Sequence, residues 1–136
     1  MLLSRVARTS LGTVLLAMTP LSFVTSAEVV PLPKVVIVRM IDKSLIEFTF
    51  EPSTIAVRPG DIVQFVQTGT TPHNIEFRQM PTGVDLGAIK TSPYLAIPNQ
   101  KYEITIDKKF VKGTYSFVCI PHESMGMKGS LTITTP

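Results

Sequence analysis

Apolar residues recur at every second position in several short stretches of this chain, which is the period of a half-buried β-strand. Phe48 and Phe50 alternate with charged or hydroxyl neighbours, and Ile55 and Val57 follow Pro52. Tyr102, Ile104 and Ile106 alternate with Lys101, Glu103 and Thr105, and Leu131 and Ile133 with Ser130, Thr132 and Thr134. Val35 to Met40 reads as one apolar strand and Ile62 to Gln67 as another. Pro, Gly and Asn clusters separate these runs, and little of the chain carries a helical period. Such a series of short strands predicts an all-β, two-sheet sandwich. Arg78 to Pro98, with three prolines and two glycines, is the least regular part and is expected to pack as a long connection with at most a helical turn.

Ahead of the strands the pattern changes. Arg5 and Arg8 form a basic start, Leu11 to Val24 is mostly apolar, and Thr25-Ser26-Ala27 offers small residues before Glu28. This order predicts a signal peptide over residues 1–27, followed by one domain over residues 28–136. Pro20 interrupts the apolar run, which falls short of the roughly 20 residues of a spanning helix. The mature chain is therefore expected to be exported and soluble, in a periplasm or a thylakoid lumen, with no stable membrane association. Export also changes the charge. Two of the thirteen Lys and Arg residues leave with the leader and none of the ten acidic ones do, so eleven face ten. A near-neutral domain gives no warrant for nucleic acid as a partner. With a single cysteine, Cys119, no internal disulfide can form, and the domain must hold itself by its core.

That cysteine opens the part of the sequence that carries chemistry. In Tyr115 to Cys119 the two aromatic residues and the thiol share one parity, so a strand would point Tyr115, Phe117 and Cys119 inward together. Pro121, Gly126 and Gly129 cannot readily extend a strand, so the chain is expected to turn after Cys119. The turn would fold His122 and a methionine back toward the sulfur. Taken singly, a buried cysteine or a loop methionine is ordinary packing. Together with His73, the only other histidine, they supply the soft sulfur and imidazole donors that select copper. Two histidines and a thiolate in a plane, with a weak axial methionine, make a blue-copper electron-transfer centre. An unpaired thiol in an oxidising compartment would then be occupied by metal.

These residues carry a family resemblance. His73-Asn74, then Gly113-Thr114-Tyr115 leading to Cys119-Ile120-Pro121-His122 and Met127, resembles the cupredoxins, the small blue copper proteins. Phe50-Glu51-Pro52, Pro59-Gly60-Asp61 and Pro81-Thr82-Gly83-Val84-Asp85 extend the similarity. The four residues between His122 and Met127 match the loop of the plastocyanin and pseudoazurin groups. The resemblance implies a Greek-key sandwich and one type 1 copper per chain, held by His73, Cys119, His122 and Met127, with Met125 the second choice as axial ligand. It implies a monomer whose electrons leave through His122, in an apolar patch with Pro121, Met125 and Pro72, toward transient redox partners such as a cytochrome or a copper or haem oxidoreductase. Asn74 is expected to tie the His73 segment to the Cys119 loop. Ile120 stands where Ser or Thr is common, so one hydrogen bond across the site is expected to be missing. Glu76-Phe77-Arg78-Gln79-Met80 replaces the acidic run of plant plastocyanins, so a remote acidic docking route is not expected.

Two function classes fit this donor set. One is a carrier of single electrons; the alternative is a periplasmic copper carrier or chaperone using the same ligands. A buried thiolate with two histidines favours retained copper and hence electron transfer. Enzymes with catalytic copper need further histidines, and only two exist here, so no catalytic activity is expected.

Overall fold

The computed structural model describes residues 32–134; the segment read as a signal peptide lies outside them. Among these residues eight strands form two four-stranded sheets. In chain order they are β1 (Val35–Asp42), β2 (Phe48–Glu51), β3 (Thr54–Val57), β4 (Ile62–Gln67), β5 (Glu76–Gln79), β6 (Lys101–Thr105), β7 (Gly113–Val118) and β8 (Lys128–Ile133). One sheet runs β2-β1-β4-β6 and the other β3-β8-β7-β5. Both are mixed, because β1 pairs with β4 and β3 with β8 in parallel. The chain changes sheets between β2 and β3 through Pro52 and Ser53 alone. This is the Greek-key sandwich that the alternating pattern and the family resemblance predict.

Alternation decides which side chains meet between the sheets. In β4, Val63, Phe65 and Gln67 are buried, and in β8, Leu131 and Ile133. The centre is aromatic. Phe117 packs edge-on against Phe50, Phe65 and Phe77 with ring centroids 5.0, 5.3 and 6.1 Å away, an arrangement that sets ring edges against the electron-rich faces. Gly129 lies opposite Phe117 in the β7–β8 register, and a Cβ there would run into the Phe117 ring and come within 2.9 Å of the Ser53 carbonyl oxygen. The glycine is what lets the aromatic ring fill the space between the sheets.

Two features depart from the sequence expectation. β1 runs through Asp42, because Ile41 and Asp42 pair with Thr49 and Phe48. β5 is a strand although Glu76-Phe77-Arg78-Gln79 has one apolar residue, since Phe77 alone faces the core and pairing with β7 supplies the rest. As expected, the irregular connection contains one short 3-10 turn, Gly87–Lys90, and it then forms a wall beside β5. There Leu95 and His73 exchange backbone hydrogen bonds of 3.1 and 2.8 Å, and Ser92 and Ile75 are joined by bonds from both main chain and side chain.

Asp61 anchors the turn before β4. It is 3% exposed and accepts the backbone N–H groups of Arg58 and Lys34 at 2.9 and 3.1 Å. Burial opposes its charge, but those two bonds, helped by the nearby Lys34 and Arg58 charges, hold its pKa below 3.8. A depressed carboxyl pKa gives stability that is complete above the unfolded value and is lost as pH falls through the folded one. Stability is thus expected to decline below about pH 4. Asp61→Asn should remove part of that slope and lower stability at neutral pH by about 1–3 kcal/mol, as read from urea unfolding at several pH values.

Candidate metal centre

At one end of the sandwich, two segments converge. Gln67, the last residue of β4, points inward and is fully buried. Its amide donates to the carbonyls of Thr71 and Leu95 and accepts the N–H of Gly69, which shapes the loop that carries His73. The backbone bonds with Leu95 then fix His73 from the other side. The second segment follows β7. Tyr115, Phe117 and Cys119 are each fully buried in one inward row, as their shared parity predicts. The chain turns at once into a 3-10 helix, Ile120–Met125, with Pro121 in its first turn. Gly126, at φ 87°, ends that helix in the left-handed region, where a side chain would be strained. The reversal is closed by Met127, whose N–H donates to the His122 carbonyl and whose carbonyl accepts the Cys119 N–H, both at 3.1 Å.

His73, Cys119 and His122 come together, all buried. Cys119 Sγ lies 3.5 Å from His73 Nδ1 and 3.3 Å from His122 Nδ1, and the two nitrogens are 3.1 Å apart. The centre of that nearly equilateral triangle is about 1.9 Å from each corner, close to the roughly 2.0–2.3 Å at which imidazole nitrogen and thiolate bind a first-row ion. Met127 is fully buried beside these residues, whereas Met125 is 49% exposed at the end of the 3-10 helix. Burial raises the Cys119 pKa, against the pull of the Asn74 and His122 backbone groups, and burial with the neighbouring His73 lowers that of His122, against the pull of Asp42. The metal-free site therefore favours a neutral thiol and a neutral imidazole, and metal uptake releases the thiol proton.

The surroundings bear out two expectations. Asn74 Oδ1 accepts the Ile120 N–H at 2.9 Å, tying the His73 segment to the Cys119 loop. Its Nδ2 is buried with no partner, the single such side-chain atom among the described residues, and Ile120 has no hydroxyl to offer it. The side chain that joins the segments is thus half satisfied. Asn74→Ala is expected to lower stability by about 1 kcal/mol, less than a fully bonded buried amide would cost, measured by urea unfolding of the metal-free protein.

Two neighbours were not legible beforehand. Phe48 stacks on His122, with ring centroids 3.9 Å apart and planes at 24°. Asp42 Oδ1 lies 2.6 Å from His73 Nε2. The only sequence signal for Asp42 is a carboxylate at the end of an apolar strand, with its partner 31 residues away.

The family model for copper binding proteins of the plastocyanin/azurin family matches residues 38–134, which include every residue of the converging triad. The chain belongs to this family. It is 36% identical over 86 residues to the plastocyanin of Scenedesmus fuscus, covering 62% of this chain and 85% of that one. The chloroplastic plastocyanin of Hordeum vulgare is equally similar over 62% of this chain, and the match spans 54% of its longer sequence. Among solved structures, oxidised plastocyanin from Dryopteris crassirhizoma superposes with a TM-score of 0.56 at 30% identity, covering 73% of this chain and all of that one. A cupredoxin with a buried His, Cys and His cluster is a copper-binding electron-transfer protein and not an enzyme. The donor set fits the metal, since thiolate and imidazole suit copper in both oxidation states.

Proposed function

We propose that His73, Cys119, His122 and Met127 hold one type 1 copper and that this exported protein shuttles single electrons between redox proteins. The observation that carries the reading is the triangle of Sγ and two Nδ1 atoms, buried and braced by backbone bonds on both segments. Copper would supply the one-electron Cu(II)/Cu(I) couple. The chain's part is to hold the donors still, so that little rearranges when an electron arrives or leaves. Met127 is favoured as axial ligand over Met125 because it is buried and bonded to both neighbouring ligand residues.

His122 is the member of the set nearest the surface, at 7% exposure. Pro72, Pro121 and Met125 are exposed at this end, and Leu45 and Ile46, in the loop leading to Phe48, are 95% and 78% exposed. An apolar patch of this kind suits brief docking of a cytochrome or another copper or haem protein to a monomer. Arg78 pairs with Glu76 and Glu123 beside it, so the residues that replace an acidic docking run are partly engaged within the molecule. The leader-like segment and the kinship with plastocyanins support export to a periplasm or thylakoid lumen.

Copper retention separates electron transfer from metal delivery. The copper-loaded protein is cycled with ascorbate and ferricyanide in the presence of a Cu(I) chelator. Full return of the copper signal over many cycles supports the carrier; stoichiometric loss to the chelator on first reduction would favour a copper chaperone. In the same assay Met127→Leu is expected to keep copper and shift the potential, and Met125→Leu to leave it in place. The opposite pattern would reassign the axial ligand.

A further inference from the structure

Asp42 closes β1, and both of its carboxylate oxygens are engaged toward the metal end. Oδ2 accepts the backbone N–H groups of Thr70 and Thr71, each at 3.0 Å, and Oδ1 faces His73 Nε2 at 2.6 Å. A side chain at Gly69 would occupy the space of that carboxylate, so the glycine is the gap in the loop that admits it. The Asp42 side chain is 19% exposed and that of His73 is fully buried. Among the described residues, His73 is the only ionisable side chain within ion-pair distance of Asp42. Among the described residues no lysine or arginine pairs with it.

A carboxylate can only accept, so the bond requires a proton on Nε2 and leaves the Nδ1 lone pair facing Cys119 and His122. Two backbone N–H groups and the imidazole N–H converge on this one carboxylate, a donor set that suits an ionised acceptor.

We infer that Asp42 is a positioning residue of the copper site, which fixes the tautomer and plane of His73 and strengthens it as a donor, favouring Cu(II) over Cu(I). This rests on the ligand assignment proposed above. A carboxylate behind a ligating imidazole raises its basicity, and the more highly charged oxidation state gains more from it. The carboxylate belongs to β1 of the opposite sheet from Cys119, so it also links the site to a rigid strand in that sheet.

The test uses Asp42→Asn and Gly69→Ala, the second of which keeps the charge in the chain but displaces the carboxylate. Copper-loaded proteins are compared by spectroelectrochemical potential, Cu(II) affinity and thermal unfolding. Both variants are expected to bind Cu(II) ten- to a hundredfold more weakly with a smaller loss for Cu(I). The potential should rise by about 59 mV for each tenfold change in that ratio. Variants that stay blue at the wild-type potential, with only their unfolding temperature lowered, would make Asp42 a loop clamp and overturn the inference. If neither variant folds, nitrogen-15 NMR of the Cu(I)-loaded wild type decides. A slowly exchanging, downfield Nε2 proton on His73 supports the bond, and an unprotonated Nε2 contradicts it. A wild-type protein without a blue centre would overturn the ligand assignment and this inference together, whereas a blue wild type with unmoved variants overturns the inference alone.

Discussion

Cys119→Ser is expected to abolish the intense blue absorption completely while leaving the sandwich folded. The colour of such a centre comes from charge transfer between thiolate and copper, so no arrangement of two imidazoles and a hydroxyl can reproduce it. The substitution removes the sulfur and little volume, in a row whose other members, Tyr115 and Phe117, carry the packing. The bond from the Ile120 N–H to the Asn74 side chain and the backbone bond from the Cys119 N–H to the Met127 carbonyl do not depend on the sulfur. Circular dichroism should therefore remain that of the wild type while the Cu(II)-treated variant shows at most the weak d–d absorption of ordinary Cu(II). A residual intense band would mean that a donor other than this thiol carries the metal.

The largest effect on stability is expected at Phe117→Ala. The ring is fully buried and touches three aromatic neighbours from both sheets. Truncating such a residue costs about 3–5 kcal/mol, against a total of about 5–15 kcal/mol for a domain. Gly129 beneath it cannot close the gap, since it has no side chain to move. Urea unfolding should show a much lower midpoint at an unchanged slope. Because Phe117 stands two residues before Cys119 in the same row, the variant should also hold Cu(II) less tightly. Added copper should recover part of the lost stability by mass action.

What the sequence disclosed and what it hid follow from the range of each signal. Tyr115, Phe117 and Cys119 declare their common face by parity, and Pro121 and Gly126 declare the turn, so the copper loop is readable from neighbours alone. His73 is readable because imidazole and thiol chemistry leaves few other donors to complete a site. The role of Asn74, and the missing partner of its Nδ2, could be anticipated from the residue at 120 through family resemblance. By contrast, Asp42 and Phe48 act on ligands that lie 31 and 74 residues away, with ordinary local surroundings: one ends an apolar strand and the other reads as core. β5 carries one apolar side chain, and its strand character comes from pairing with β7. The wall formed by Ser92 and Leu95 has no periodic pattern at all, yet Leu95 fixes His73 through a pair of backbone bonds, and Ser92 fixes Ile75 through its main chain and its hydroxyl.

His73, Cys119, His122 and Met127 are expected to form one type 1 copper centre. Its most direct test is the visible absorption and electron paramagnetic resonance of the purified mature domain with one equivalent of Cu(II), before and after ascorbate. An intense blue band with narrow copper hyperfine splitting is expected, bleached by reduction and restored by reoxidation without loss of metal. Weak colour with ordinary splitting, or copper released on reduction, would contradict it.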